Sequence, residues 1–281
     1  METRFADKPR PAAQAGLFYD SDPALLKDRV IELLGEQAEA QTDPLALLAP
    51  HAGYVYSGDV AGSAYSRLRG RPIDRVLLLG PSHGADFIGA VLDHHPAWES
   101  PLGEVGIDAE AARILAANPC VSIDPGPFAG EHALEVQLPF LQVALGDRPF
   151  RILPVLVGRP PVEGLEALAD ALEEVLEHWR RAGLGHVVVA SSDTYHGSSA
   201  ERCRANDDRL IELIELLRAE ELIEAAERGE VMACGWAPLA LTMILARRGG
   251  GRGATILARS DSRSGGGWGG YVVGYLGAAM E

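Results

Sequence analysis

The chain has 281 residues, with 25 Lys and Arg against 40 Asp and Glu, giving a formal net charge of −15 with histidine neutral. That balance provides no broad positive surface for nucleic acid or an anionic membrane, so neither is expected as a partner. Hydrophobic residues make up 47%, and 32 Gly with 18 Pro stay under a fifth of the chain, which excludes a low-complexity polypeptide and permits a full core.

In chain order, the pattern predicts a helix over Pro23 to Leu34, a strand over Leu45 to Ala49 and a helix over Asp59 to Leu68. Strands follow at Val76 to Leu79 and Ile88 to Leu92, then helices at Ala109 to Ala117 and Glu131 to Leu145. Next come a strand at Ile152 to Val157, a helix at Val162 to Arg181, a strand at Val187 to Ala190, and helices at Ala200 to Arg228 and Ala237 to Arg247. Two strands, Ala254 to Ala258 and Tyr271 to Leu276, close the series. Asp22-Pro23 is a capping residue before a first-turn proline, and Arg247-Arg248-Gly249 ends the last helix with cations and then glycine. Short apolar runs alternating with helical segments mark an α/β fold, a single domain over residues 1–281 with a largely parallel or mixed central sheet flanked by helices. The Gly-rich piece from Ser264 to Gly270 lies between two strands with no helix behind it, so it reads as a hairpin or loop rather than a phosphate cradle.

The three cysteines, Cys120, Cys203 and Cys234, form no C-x-x-C pair and suit a reducing compartment. Residues Met1 to Lys8 have no apolar core, and no run of about 18 apolar residues occurs, so a cytoplasmic location is expected.

Three predicted strands lead into polar residues in the same way: Ala49-Pro50-His51, Gly80-Pro81-Ser82-His83 and Ser191-Ser192-Asp193. Loops at the carboxyl ends of strands in an open α/β sheet converge on a crevice, so these residues are expected to meet. One histidine after a strand is ordinarily a loop or core residue; the repetition at equivalent positions points to a site. Two neutral imidazoles with a third N, O or S donor suffice for a first-row metal. Cys234, just before a predicted helix, is a candidate third ligand, and the helix dipole is expected to favour its thiolate. Asp193 and His196 share one loop, as ligands, orienting groups or an acid/base pair. Glu131-His132 is expected to open a helix, with His132 facing the crevice or solvent. His94 and His95 are adjacent, would point oppositely on a strand, and are expected not to be ligands, while His178 and His186 lie away from the crevice.

The motifs Ala49-Pro50-His51-Ala52-Gly53-Tyr54, Gly80-Pro81-Ser82-His83, Glu131-His132-Ala133-Leu134-Glu135-Val136-Gln137-Leu138-Pro139-Phe140, Ser191-Ser192-Asp193-Thr194-Tyr195-His196 and Cys234-Gly235 follow the order of the Memo family, which the chain resembles from Arg10 to Tyr275. Prokaryotic members are labelled AmmeMemoRadiSam system protein B, and the family is similar to class III extradiol dioxygenases. The resemblance implies a dioxygenase-like fold and a metal at His51, His83 and Cys234, with Asp193, His196 and His132 around it as the catalytic groups. It also implies iron or copper as the cofactor, and the donor set admits zinc. A small-molecule or peptide ligand in the metal crevice is the expected partner. The dioxygenases complete their site with a carboxylate where this chain has Cys234, and a thiolate favours Cu(I) or Zn. Two other readings stand beside the metal-dependent oxidoreductase. Gly80-Pro81-Ser82-His83-Gly84 satisfies G-x-S-x-G, the pattern of a hydrolase with Ser82 as nucleophile, and a binding protein on a degenerate enzyme scaffold is the third.

Overall fold

In the computed structural model, residues 6–35, 42–158, 162–266 and 270–281 are described. The central feature is a mixed sheet in which β1 (Ala46–Ala49), β8 (His186–Ser191), β2 (Arg75–Pro81) and β7 (Arg151–Val157) run parallel in the order β1-β8-β2-β7. Outside β1 lie β11 (Val272–Met280) and then β10 (Ala254–Asp261), both pairs antiparallel. Beyond β7 lie β3 (Ala90–Leu92), antiparallel, and β6 (Val121–Ile123). Three short strands complete the set: β4 (Ala97–Ser100) and β5 (Gly103–Ile107) form a hairpin on the β7 edge, and β9 (His196–Gly197) pairs with β11.

Period-two alternation divides the strand side chains between two cores. Leu48, Leu77, Leu79, Val188 and Ala190 face one cluster, and Leu47, Val76, Leu78, Val187 and Val189 face the other. The first is covered by α3 (Ala109–Ala116), α5 (Val162–Arg181), α7 (Ala219–Glu227) and α8 (Trp236–Arg248), the second by α1 (Pro23–Leu34), α2 (Tyr54–Tyr65) and α4 (Leu138–Leu145). Each fully buried aliphatic side chain contributes about 1.5–3 kcal/mol, so burial on both faces anchors these strands. Asp22 caps α1 by accepting from the Ala24 and Leu25 amides, and Pro23 occupies the first turn. Helices α1 and α2 meet backbone to backbone, since a Cβ on Gly62 would stand 2.1 Å from the Leu33 carbonyl oxygen.

Several boundaries differ from the sequence expectation. Helix α2 starts at Tyr54, immediately after the His51 loop, rather than at Asp59. The stretch expected as one helix from Ala200 to Arg228 is broken into α6 (Ala200–Glu215) and α7, because Leu217 takes a left-handed φ of 50° and its buried side chain docks in the core. Glu131 and His132 do not open a helix: α4 begins at Leu138, after a single turn over Glu135–Gln137. The two closing strands are joined by the Gly-rich hairpin, of which residues 267–269 lie outside the described residues. Among the described residues no helix is long and apolar enough to cross a membrane.

Candidate metal centre

The register of the three adjacent parallel strands sets the spacing of the site. Ala49 pairs with Ser191 and Leu79 with Ala190, so Pro50-His51, Ser192-Asp193 and Pro81-Ser82-His83 leave the sheet side by side, at an interstrand spacing of about 4.8 Å. His51 and His83 stand edge-on with centroids 5.1 Å apart, and His51 stands edge-on to His132 at 5.3 Å. Ligand atoms of His51, His83 and His132 lie within 4.8 Å of one another, and the Cys234 sulfur is 3.2 Å from His51 Nε2.

The tautomer of His51 is fixed by a buried hydrogen-bond chain. The Ser191 hydroxyl donates its one proton to the Ala133 carbonyl at 2.6 Å, and it accepts from Gln137 Nε2 at 2.9 Å. Gln137 is itself oriented by the Tyr65 hydroxyl, which donates to its Oε1 at 2.9 Å. Ser191 Oγ, 2.9 Å from His51 Nδ1, can therefore only accept there, so Nδ1 carries the proton and the Nε2 lone pair faces the crevice. Burial, reinforced by the other histidines, keeps the His51 pKa well below its usual value, and the ring is neutral at pH 7.

His83 is oriented by a carboxylate. Glu131 accepts from His83 Nδ1 at 2.9 Å and the His83 amide at 2.6 Å, and from the amides of His132 and Ala133 at 2.8 and 2.9 Å. Burial works against its ionisation, but these donors outweigh burial and hold the Glu131 pKa down at about 2. The same contact raises the His83 pKa against the effect of its own burial. His132 is stacked between Phe18 at 4.6 Å and His83 at 4.5 Å, and burial followed by the His83 charge pushes its pKa down to about 4.

Asp193 and Cys234 are tied to each other. The Cys234 amide donates to the Asp193 carbonyl and the Asp193 amide to the Cys234 sulfur, each at 3.2 Å. The approach needs glycine next in the chain, because a Cβ at Gly235 would meet the Ser191 carbonyl oxygen at 2.6 Å. The Asp193 carboxylate accepts the His51 amide at 2.8 Å, and burial outweighs this in raising its pKa to about 7. One expectation is overturned here. Although Cys234 lies just ahead of α8, burial and then the Asp193 charge push its thiol pKa up rather than down, so the metal-free side chain is a neutral thiol. His196 sits on β9 with its ring nitrogen Nε2 buried and unpartnered, and among the described residues no hydrogen bond joins it to Asp193.

Two cavities flank the cluster. One of about 590 Å³ is bordered by Ser82, His83, Asp86, Glu227, Cys234 and Trp236. The other, of about 320 Å³, has walls of Phe18, Tyr56, Tyr271 and Tyr275 with His132 and Asp193. Ser82 Oγ accepts from the Ala85 amide at 3.1 Å, and no helix follows it, so the strand–turn–helix of a nucleophile elbow is not formed. The sequence reading overlooked Glu131, Ser191 and Gln137 as orienting groups. The available signals were a glutamate adjoining a motif histidine and a lone glutamine within the apolar run Val136 to Leu138.

The Memo-like protein family model matches residues 10–279. A MEMO1 family protein of Saccharolobus solfataricus is 35% identical, covering 96% of this chain and 98% of its own length. One from Saccharolobus islandicus is 36% identical over the same shares, and one from Sulfolobus acidocaldarius is 31% identical over 95% and 97%. With its motif histidines gathered at one end of the sheet and its match extending almost from end to end, the chain belongs to the Memo-like family.

Proposed function

We propose that this chain is a metal-dependent oxidoreductase of dioxygenase-like fold that holds iron or copper between His51 Nε2, His83 Nε2 and Cys234 Sγ. The observation that carries the reading is the locking of both imidazoles in the Nδ1–H tautomer by separate partners, with the thiol 3.2 Å from the His51 lone pair. Metal bonds of about 2.0–2.1 Å to nitrogen and 2.3 Å to sulfur separate neighbouring tetrahedral ligands by roughly 3.5 Å, close to that spacing. His132 is the competing third donor. Its ring lies within 25° of parallel to His83, so the lone pairs of those two rings lie in nearly parallel planes, whereas the Cys234 sulfur already stands at ligand spacing from His51 Nε2.

A bound iron or copper would supply Lewis acidity and one-electron chemistry at this position. The protein's part is to orient and to move protons. His132, neutral and wedged between Phe18 and His83, can take a proton from a ligand in the aromatic-walled cavity. His196 is the second proposed proton carrier, its buried Nε2 having no hydrogen-bond partner among the described residues. Asp193 supports the His51 loop through the backbone amide. The ligand is a small molecule or peptide end that enters through the flanking cavities.

The test is metal analysis of tag-free protein purified anaerobically under reducing conditions. Iron or copper should be bound, and His51→Ala, His83→Ala and Cys234→Ala should each weaken it severely, with His132→Ala affecting turnover more than affinity. Unchanged iron and copper binding in the triple variant overturns the reading. The hydrolase reading would instead require Ser82 to be labelled by a serine-directed phosphonate.

A further inference from the structure

A second group of ligand-type side chains lies away from the crevice. Strand β3 runs antiparallel to β7, with Ala90 against Val157 and Leu92 against Val155, so it carries the chain away from the crevice end of the sheet. It delivers Asp93, His94 and His95. The strand ends at Leu92, as the apolar run predicts, and the two histidines beyond it do not point oppositely: both rings turn toward Asp93. His95 Nδ1 is 2.7 Å and His94 Nδ1 3.3 Å from Asp93 Oδ1, and the ring centroids are 4.3 Å apart.

The carboxylate is held firmly. Asp93 is 2% exposed, and the Trp98 indole N–H donates to its Oδ2 at 2.6 Å. Trp98 is in turn fully buried, with the Arg10 guanidinium 4.5 Å above its ring. Oδ1 is crowded. Besides the two imidazole nitrogens it faces the amides of His94 at 2.7 Å and His95 at 3.3 Å. Two backbone N–H groups and two ring nitrogens thus converge on one oxygen, which has about two lone pairs to offer. A cation relieves the crowding: with each imidazole's proton on Nε2, the two Nδ1 atoms and an Asp93 oxygen can share one ion, the ligand atoms of the three residues lying within 4.8 Å of one another, and the His94 amide keeps its acceptor.

We propose that Asp93, His94 and His95 bind a divalent transition-metal ion of the zinc, nickel or copper(II) class, independently of the crevice. Two imidazoles and a carboxylate match those ions; there is no sulfur for Cu(I) and too little oxygen for Mg²⁺ or Ca²⁺. The histidine side chains are 26% and 20% exposed, so water can complete the coordination and the ion can exchange. Trp98 is a positioning residue, acting through Asp93.

Cobalt(II) and zinc titrations of tag-free protein test this. Wild type should bind one more equivalent of cobalt(II) than a His94→Gln/His95→Gln variant, and a His51→Ala/His83→Ala variant should retain that equivalent. Trp98→Phe, which keeps the ring but removes the indole donor, should weaken zinc at this site by about tenfold to a hundredfold. Equal stoichiometry and affinity in wild type and His94→Gln/His95→Gln overturns the proposal. Should that variant fail to fold by circular dichroism, the wild-type Trp98 indole N–H resonance decides: two equivalents of copper(II) should broaden it away, and a signal left sharp overturns the site.

Discussion

Replacing Glu131 by Gln removes one charge and turns one acceptor into a donor. Its two carboxylate oxygens receive the His83 imidazole and the amides of His83, His132 and Ala133, so a side-chain NH₂ at either end faces an N–H group. The carboxyl pKa lies at about 2 in the folded protein against an ordinary 4.5, which corresponds to about 3 kcal/mol of stability at neutral pH. Because the folded value is the lower one, this stabilisation is complete above pH 4.5 and is lost as the pH falls toward 2. The substitution should therefore lower the urea midpoint at pH 7, with an unchanged slope, by an amount equivalent to about 3 kcal/mol. Between pH 5 and 3 the wild type should lose stability more steeply than Glu131→Gln, so the difference between them shrinks. Metal affinity at neutral pH should drop about tenfold to a hundredfold, because His83 loses the acceptor that fixes its tautomer. Parallel stability curves for the two proteins over pH 5 to 3 would refute the assignment of the low pKa to this contact.

Ser191→Ala leaves the His51 Nδ1 proton and the Ala133 carbonyl without their buried partner, at about 1–3 kcal/mol in stability; long-range ¹H–¹⁵N spectra should show His51 losing its single-tautomer signature. Cys234 should alkylate slowly at pH 7 in the metal-free protein because its thiol is half-buried and neutral; rapid, selective modification there, followed by peptide mass spectrometry, would contradict the raised thiol pKa. Arg10→Met removes the counter-charge of the fully buried Glu135 carboxylate, bonded to Arg10 at 2.6 Å, and leaves it the Gln14 amide and the Tyr19 hydroxyl as donors; it should cost about 3–5 kcal/mol by chemical denaturation, far more than removal of exposed Arg228.

The strands that carry the site were legible because they are short apolar runs ending in a proline or serine and then a polar group, and the start of α1 was readable from Asp22-Pro23. What the pattern did not contain was long-range pairing. The hydrogen-bond role of Ser191 depends on Ala133 and Gln137, which are 58 and 54 residues away in sequence, so its chemistry is set by packing. The Ala200 to Arg228 segment has unbroken helical character, and only the docking of Leu217 interrupts it. The end of the strand before Asp93 was legible at Leu92, but that the two adjacent rings both turn toward one carboxylate was not contained in the pattern.

The proposed ligands in the crevice are scattered along the polymer, His51 and Cys234 being 183 positions apart. In the unfolded chain they have little effective concentration toward one another, so an ion has almost nothing to choose between random-coil states. Metal in the crevice should therefore act as a ligand of the native state alone, adding about 2.7 kcal/mol to stability at a free concentration a hundred times Kd and raising the melting temperature with dose. Asp93, His94 and His95 are consecutive. An ion there stays partly bound after unfolding, so the same occupancy yields a smaller gain. The two proposed centres should thus be distinguishable by calorimetry without any mutation, through the slope of melting temperature against the logarithm of metal concentration.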